Sequence, residues 1–206
     1  MKALKPKGPS PNLPPHLGHP YNSEMWTPAS GTERLVTEFG PEYTLELLTA
    51  LLTEAVPPAA LTVPPFSTVL QHIGNANATT FFADDVLMRH AYWARAWAAR
   101  ALTYLGDENA IPWLIEALDD PHWRVRMNTL QALGRLGAEG YDEVLAKRLE
   151  DEHERVRCAA ALALGRTGHE FALTPLQEAL EDRSEAVRQQ ADHALARIEK
   201  RIKSWS

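Results

Sequence analysis

The sequence predicts an all-α fold in which helical hairpins stack as a solenoid, and a repeat of 31 residues is the main indication. Four residue types keep this register in the second half of the chain: leucine at 118, 149 and 180, aspartate at 120, 151 and 182, valine at 125, 156 and 187, and arginine at 126, 157 and 188. Glycine closes each unit at 106, 137 and 168. A fixed period of this size is typical of solenoids, because each unit buries its apolar face only against its neighbours.

Composition limits the class of protein. The 206 residues are 45% hydrophobic and 23% charged, as in a globular protein of one or two domains. No apolar run approaches the roughly 18–20 residues of a membrane helix, and the start lacks a secretory signal, so we expect no membrane association and a cytoplasmic location. The single cysteine, Cys158, excludes an intrachain disulfide. The net charge of −6 argues against non-specific nucleic-acid binding by the whole surface.

The first part of the chain predicts an arm followed by a helical cap. Residues 1–31 are rich in proline, which lacks the donor that helices need, so we expect a flexible or extended arm. Residues 32–78 predict an N-terminal helical cap. In it, Pro41 begins a helix that runs to about Ala55, a proline-rich stretch interrupts it, and a shorter helix spans Phe66 to Ile73 before Gly74.

Residues 79–206 predict the solenoid, with about four helix pairs. Each unit reads as a short helix, a tight acidic turn, a longer helix and a glycine stop. The predicted short helices are Ile111–Leu118, Asp142–Leu149 and Leu173–Leu180, and the longer helices begin near Trp123, Arg155 and Glu185. Apolar residues in the longer helices follow the i, i+4, i+7, i+8, i+11 stripe of a packed helix. A degenerate earlier unit spans about 79–106.

These segments resemble HEAT repeats, specifically the short HEAT-like repeats of phycobilin lyases. The resemblance rests on Leu118-Asp119-Asp120-Pro121, Val125-Arg126 and Ala132-Leu133-Gly134-Arg135-Leu136-Gly137, with a second copy at 149–168 and a weaker third copy. It implies a right-handed α-solenoid of HEAT-like helical hairpins whose longer helices line the concave side. It also implies that the aspartate and arginine of each unit, such as Asp151 and Arg157, take part in a ladder that joins neighbouring units.

Both ends of the repeat region depart from the pattern. The earliest unit has Arg95 but carries Arg89 in place of the aspartate, and it lacks the glycine after Leu102, so we expect it to be a modified cap. Asp192 stands at a stacking position, which suits a terminal unit whose outer side nothing covers. We therefore expect the solenoid to end within this chain.

Charge separates between the two kinds of helix. The turns and short helices are net negative, whereas the longer helices are net positive. Register therefore predicts a concave binding surface that combines arginine with aromatic and amide side chains: Trp93, Trp97, Arg100, Tyr104, Arg124, Gln131, Arg135, Arg155, Arg166 and Arg197. Tryptophan and arginine dominate many binding interfaces, so we predict a non-enzymatic scaffold that binds a protein or acidic peptide and needs no cofactor.

Several alternatives use the same residues. The arginines can be solvated or paired with turn carboxylates, and the aromatic residues can belong to the core. The groove can hold a nucleic-acid strand, as in HEAT-like base-repair enzymes, or the arm itself, with Trp26 or Tyr21 in an aromatic pocket. A prosthetic-group lyase or chaperone is a further option by fold analogy alone. The His-Glu metal ligands of the HEAT-like hydroxylase that modifies deoxyhypusine are absent, since Met127-Asn128 and Cys158-Ala159 occupy two of those positions.

Overall fold

A computed structural model of the protein describes residues 27–53, 56–74 and 91–204. This part of the chain contains ten α-helices and no strand. The helices are α1 (Pro28–Phe39), α2 (Pro41–Leu52), α3 (Phe66–Ile73), α4 (Tyr92–Leu105), α5 (Ile111–Glu116), α6 (Trp123–Leu136), α7 (Asp142–Ala146), α8 (Glu154–Thr167), α9 (Leu173–Glu178) and α10 (Glu185–Lys203). The all-α solenoid is confirmed.

Helix α1 begins earlier than the sequence analysis placed it. Thr27 and Ser30 form a capping box, in which each side-chain oxygen accepts a hydrogen bond from the other residue's backbone N–H, and Pro28 occupies the first turn. The predicted arm, residues 1–31, therefore overlaps the first turn of α1. Its remaining part, residues 1–26, lies outside the described residues.

The N-terminal helices pack against the first long helix. Helices α1, α2 and α3 all contact α4, and Leu48, Leu70 and Leu102 are fully buried between them. Helix α3 has the predicted bounds and ends at Gly74, whereas the predicted helix from Pro41 ends at Leu52. The interior of this region therefore continues into the core of the repeats.

In the described residues, each of the last three repeat units pairs a short helix with a long one. The short helices α5, α7 and α9 each tighten into a 3-10 turn: Ala117–Asp119, Lys147–Glu150 and Ala179–Glu181. The long helices α4, α6, α8 and α10 pack side by side, and the short helices cover one side of them. The predicted long-helix starts are confirmed to within one residue.

Glycines set the distance between the long helices. A Cβ at Gly134 would lie 2.9 Å from the Cα of Ala163, and one at Gly165 would lie 2.9 Å from the Cα of Ala194. Both distances are too short for a side chain, so the glycines allow α6, α8 and α10 to approach closely. The glycine stops differ among units: Gly137 is left-handed with φ 71°, whereas Gly168 has φ −70° and leaves no room for a Cβ beside Ala172.

A buried ladder of ion pairs joins successive units. Arg126 donates from Nε and Nη2 to the two carboxylate oxygens of Asp151, at 2.7 and 2.9 Å, and Arg157 binds Asp182 in the same way. Arg95 of the first unit makes the equivalent contact with Asp120. The hydrogen bond to Asp182 raises the pKa of Arg157 and lowers the pKa of Asp182. The ladder that the family resemblance implied is present, and it includes the degenerate first unit.

The last unit differs from the others. Helix α10 has 19 residues, against 14 in each of the other long helices, and Asp192 is exposed at its stacking position. In the additional turns, Arg201 donates hydrogen bonds of 2.6 Å to the carbonyl oxygens of Arg166 and Gly168. The added length therefore satisfies carbonyl groups at the end of α8.

We predict that Asp151→Asn lowers the free energy of unfolding by about 3 kcal/mol, because it leaves the buried guanidinium of Arg126 with the exposed carboxylate of Glu152, 3.3 Å away, as its remaining counter-ion. The matched control is Asp119→Asn. Its carboxylate pairs with Arg148 at 2.7 Å but its side chain is 81% exposed, against 5% for Asp151. The control variant should lose less than about 1 kcal/mol. Urea denaturation of both variants measures the difference, and equal losses would show that the ladder does not stabilise the stack.

Candidate functional site

The long helices together expose one surface. On α6, Arg124, Gln131 and Arg135 lie on the same stripe, whereas Val125 and Leu133 on the opposite side are buried. The equivalent stripes of α4, α8 and α10 point the same way, because successive units repeat the same packing. We call this surface the long-helix face, and the opposite surface, formed by α5, α7 and α9, the short-helix side.

Three arginines line up across the long helices, in the last turns of α6 and α8 and at the equivalent position of the longer α10. Arg135, Arg166 and Arg197 are exposed and occupy the same position in successive units. Arg166 lies over the neighbouring helix, since its Cδ would be 3.5 Å from a Cβ on Gly134. Burial and the nearby charges of Arg135 and Arg197 lower the pKa of Arg166. We call these three residues the arginine row.

The arginine row lacks carboxylate partners within the described part of the chain. Arg135 instead lies 5.5 Å from the ring centroid of Tyr104, which is 40% exposed. The negative ends of the dipoles of α6 and α8 offset part of the repulsion among the three guanidinium groups at Arg135 and Arg166, which lie in the last turns of these helices. The repulsion that remains favours the binding of an anionic group, which would neutralise it.

Stacked rings line the N-terminal ends of the long helices. Tyr92 stacks on His122 with centroids 3.4 Å apart, and Trp123 stacks on His153 at 3.9 Å. In each pair, the first residue of one long helix meets the N-cap residue of the next. The third such contact is a hydrogen bond, in which the hydroxyl of Ser184 donates to Glu154 at 3.0 Å.

Two more arginines lie over these rings. The guanidinium of Arg124 is 4.3 Å from the centroid of Trp123 and 5.2 Å from that of Trp93, and Arg155 is 5.5 Å from Trp123. Contacts of this kind are favourable cation–π interactions. The long-helix face therefore carries positive charge at both ends, from Arg124 and Arg155 at one end and from the arginine row at the other. The stacked imidazole rings lie at the first of these ends, away from the arginine row.

The two histidines cap helices in their neutral form. Nδ1 of His122 accepts a hydrogen bond from the backbone N–H of Arg124, and Nδ1 of His153 accepts one from Arg155, both at 3.2 Å. Burial and the charge of Arg124 lower the pKa of His122 to about 4. Burial and Arg155 also lower the pKa of His153. Protonation would remove both acceptors.

Two of the predicted surface residues lie elsewhere. Trp97 is only 8% exposed, and its ring would be 2.6 Å from a Cβ on Gly74, so it packs in the core at the end of α3. Arg100 donates to the carbonyl oxygen of Ile73 at 3.0 Å. Both side chains therefore connect α4 to α3. The repeat register did not reveal this, because the N-terminal helices are not part of the repeat.

Sequence reasoning missed the stacked histidines. Their signal is a spacing of 30 residues, which separates Tyr92 from His122 and Trp123 from His153. Arg201, which binds the end of α8, was also missed. Cys158 is half-buried, and burial raises the pKa of its thiol, so the reactive thiolate is disfavoured.

The stacked hairpins define an all-α solenoid scaffold. The chain belongs to the HEAT-repeat family, whose model matches residues 85–151 and 142–203. No curated protein matches the sequence. One similar solved structure is an engineered protein studied by the Northeast Structural Genomics Consortium, with 18% identity, a TM-score of 0.45, and coverage of 84% of this chain and 96% of that one.

The described residues hold no group of three His, Cys, Asp or Glu side chains that is arranged to bind a metal ion. Among the helices of the same residues, none combines the length and the apolar character required to cross a membrane.

We predict that His122→Asn weakens the dependence of stability on pH. In the native protein the pKa of His122 is about 4, against an ordinary value of 6.5, so its contribution is fully present above pH 6.5 and is lost as the pH falls towards 4. Asparagine also caps helices but does not titrate. Thermal melts at several pH values should show a smaller decrease in Tm between pH 7 and pH 4.5 for the variant.

His193→Asn, on the exposed side of α10, is the control and should behave as the native protein does. Identical pH profiles for His122→Asn and the native protein would contradict the capping role.

Proposed function

We propose that this protein is a non-enzymatic interaction module whose long-helix face binds an acidic segment of a partner protein. HEAT repeats form scaffolds that commonly mediate protein interactions, and this chain carries them over more than half its length. The observation that carries the proposal is the arginine row. Arg135, Arg166 and Arg197 stay exposed and close enough to repel one another without a carboxylate from the described residues.

The composition of the face supports an acidic partner. The stripe on α6 runs from Arg124 to Arg135, about 16 Å along the helix axis at 1.5 Å per residue. Between these ends lie the neutral residues Asn128 and Gln131, and no aspartate or glutamate occupies the equivalent positions of any long helix. A face of one charge sign accelerates association with a partner of the opposite sign, and salt weakens the effect.

The aromatic contacts favour a peptide over a nucleic-acid strand. Proteins that bind single strands offer free aromatic faces on which bases stack. Here, His153 stacks on Trp123 and the guanidinium of Arg124 also lies against it, while Arg135 lies over Tyr104. Since these rings already have stacking partners, the face offers charge and hydrogen-bond donors more than base-stacking surfaces. Arginine forks fit carboxylates with two parallel hydrogen bonds.

The test is the binding of a fluorescent glutamate-rich peptide, measured by anisotropy, to the native protein and to Arg135→Glu/Arg166→Glu. We expect the double variant to bind at least about tenfold more weakly at low salt, a loss of about 1.4 kcal/mol. The control is Lys147→Glu/Arg183→Glu, which makes the same change of net charge at exposed positions outside the arginine row. This control should bind as the native protein does.

A labelled single-stranded oligonucleotide serves as the competing probe over a salt series. Tighter binding of the oligonucleotide than of the peptide would favour the nucleic-acid alternative. Equal peptide binding by the native protein and the arginine-row variant would contradict the proposed binding surface. Circular dichroism of each variant checks that the helices are intact.

A further inference from the structure

A second surface of the molecule, on the short-helix side, has the features of a docking groove. It is a cleft of about 500 Å³ between α7 with its following turn and α9 with its preceding turn. Ala146, Phe171 and Pro175 contribute apolar surface to it. The side chain of Phe171 is the most exposed of the large hydrophobic residues in the described part of the chain, at 60%. An exposed phenylalanine inside a cleft marks a candidate contact for another apolar group.

The rim of this groove is acidic. Glu143, Glu150, Glu170 and Glu178 line it, together with the single base Lys147, which pairs with Glu143 at 3.3 Å. Its charge is therefore opposite to that of the long-helix face. A groove with an apolar floor and an acidic rim fits a ligand that combines apolar rings with lysine or arginine.

We propose that the segment from Lys2 to Pro15 of this same chain docks into the groove between α7 and α9. The segment carries Lys2, Lys5 and Lys7, and the first acidic residue of the chain is Glu24. It also contains five prolines, at positions 6, 9, 11, 14 and 15. Proline-rich segments favour the extended polyproline II conformation and bind to aromatic side chains in grooves. Phe171 offers the aromatic contact, and the four glutamates face the lysines.

Charge also decides between the two faces of the solenoid. The long-helix face carries the arginine row together with Arg124 and Arg155, so it repels a segment with three lysines. The alternative in which the arm fills that face is therefore disfavoured. The docking contact involves no residue of the arginine row, and it stands or falls independently of partner binding there.

The chain is long enough to reach the groove. Eleven residues lie between Pro15 and Thr27, at the start of α1, and an extended chain of this length can cover about 37 Å in twelve steps of about 3.1 Å. Helix α1 packs on α4, and the groove lies two to three helix rows further on, which is at most about 30 Å at a spacing of 8–10 Å. A tether of this length gives an effective concentration in the millimolar range, so a weak local contact is enough.

The test measures access to the groove in the full chain. Thr174, exposed at the groove, is replaced by cysteine in a Cys158→Ala background, and its reaction rate with iodoacetamide is measured, since this reagent is uncharged. Replacing Lys2, Lys5 and Lys7 together with glutamate should raise this rate about tenfold if the segment occupies the groove for about nine-tenths of the time. A reporter cysteine at the exposed Ala196 on α10 should not respond.

A charge swap tests the pairing directly. Glu143→Lys/Glu170→Lys should also raise the rate at position 174 after correction for the thiolate fraction, since nearby lysines lower the pKa of the reporter thiol. Combining this swap with the three lysine-to-glutamate changes should restore protection. Rates that do not depend on the charges of the segment would overturn the proposal. Protection that grows with protein concentration between about 1 and about 100 μM would overturn it as well, because it would assign the groove to the arm of a second copy.

Discussion

The structure depends on the buried arginine–aspartate ladder that joins each unit to the next. In a solenoid, a unit has no core of its own, so its position is determined by what it shares with its neighbours. Arg126 contacts its own unit and the next one at the same time. Its Nη1 donates to the carbonyl oxygen of Asp120 in its own unit, and its Nε and Nη2 donate to Asp151 in the next. Because a guanidinium is planar and directional, the ladder constrains the rotation of each unit as well as its distance.

The ladder also explains how charge is distributed over the two surfaces. Asp120, Asp151 and Asp182 stand in the turns before the long helices, where their carboxylates accept hydrogen bonds from the backbone N–H groups of His122, His153 and Ser184. Asp142 is also buried, where it accepts a hydrogen bond from the backbone N–H of His169, but the glutamates of the short helices and their turns, such as Glu143, Glu150 and Glu178, are exposed. Five arginines that are not in the ladder, Arg124, Arg135, Arg155, Arg166 and Arg197, lie on the stripe of the long helices, whereas Arg148 and Arg183 belong to the turns beside the short helices. One scaffold therefore presents a basic face and an acidic side, and the two proposed contacts use one each.

Particular residues show how far the sequence predicts the site. The alignment of Arg135 with Arg166 follows from the repeat, because equivalent positions of stacked helices become neighbours. Trp97 and Arg100 hold the positions on α4 that Asn128 and Gln131 hold on α6. However, Trp97 packs against the end of α3, and Arg100 donates a hydrogen bond to Ile73 of α3. The stacking of Trp123 on His153 joins residues 30 positions apart, one less than the repeat, since it pairs the first residue of a helix with the next unit's N-cap.

The sequence by itself determined the helices of the repeat region and their order, because these depend on local spacing that a fixed period encodes, and its resemblance to HEAT repeats implied the ladder. It also determined the opposite charges of the two kinds of helix. The tertiary structure alone decided which stripe residues remain accessible, how α1 to α3 cover the first long helix, and where Phe171 lies relative to α7. These features arise from packing between segments that do not repeat or from the orientation of single side chains. Neither cause produces a periodic pattern in the sequence.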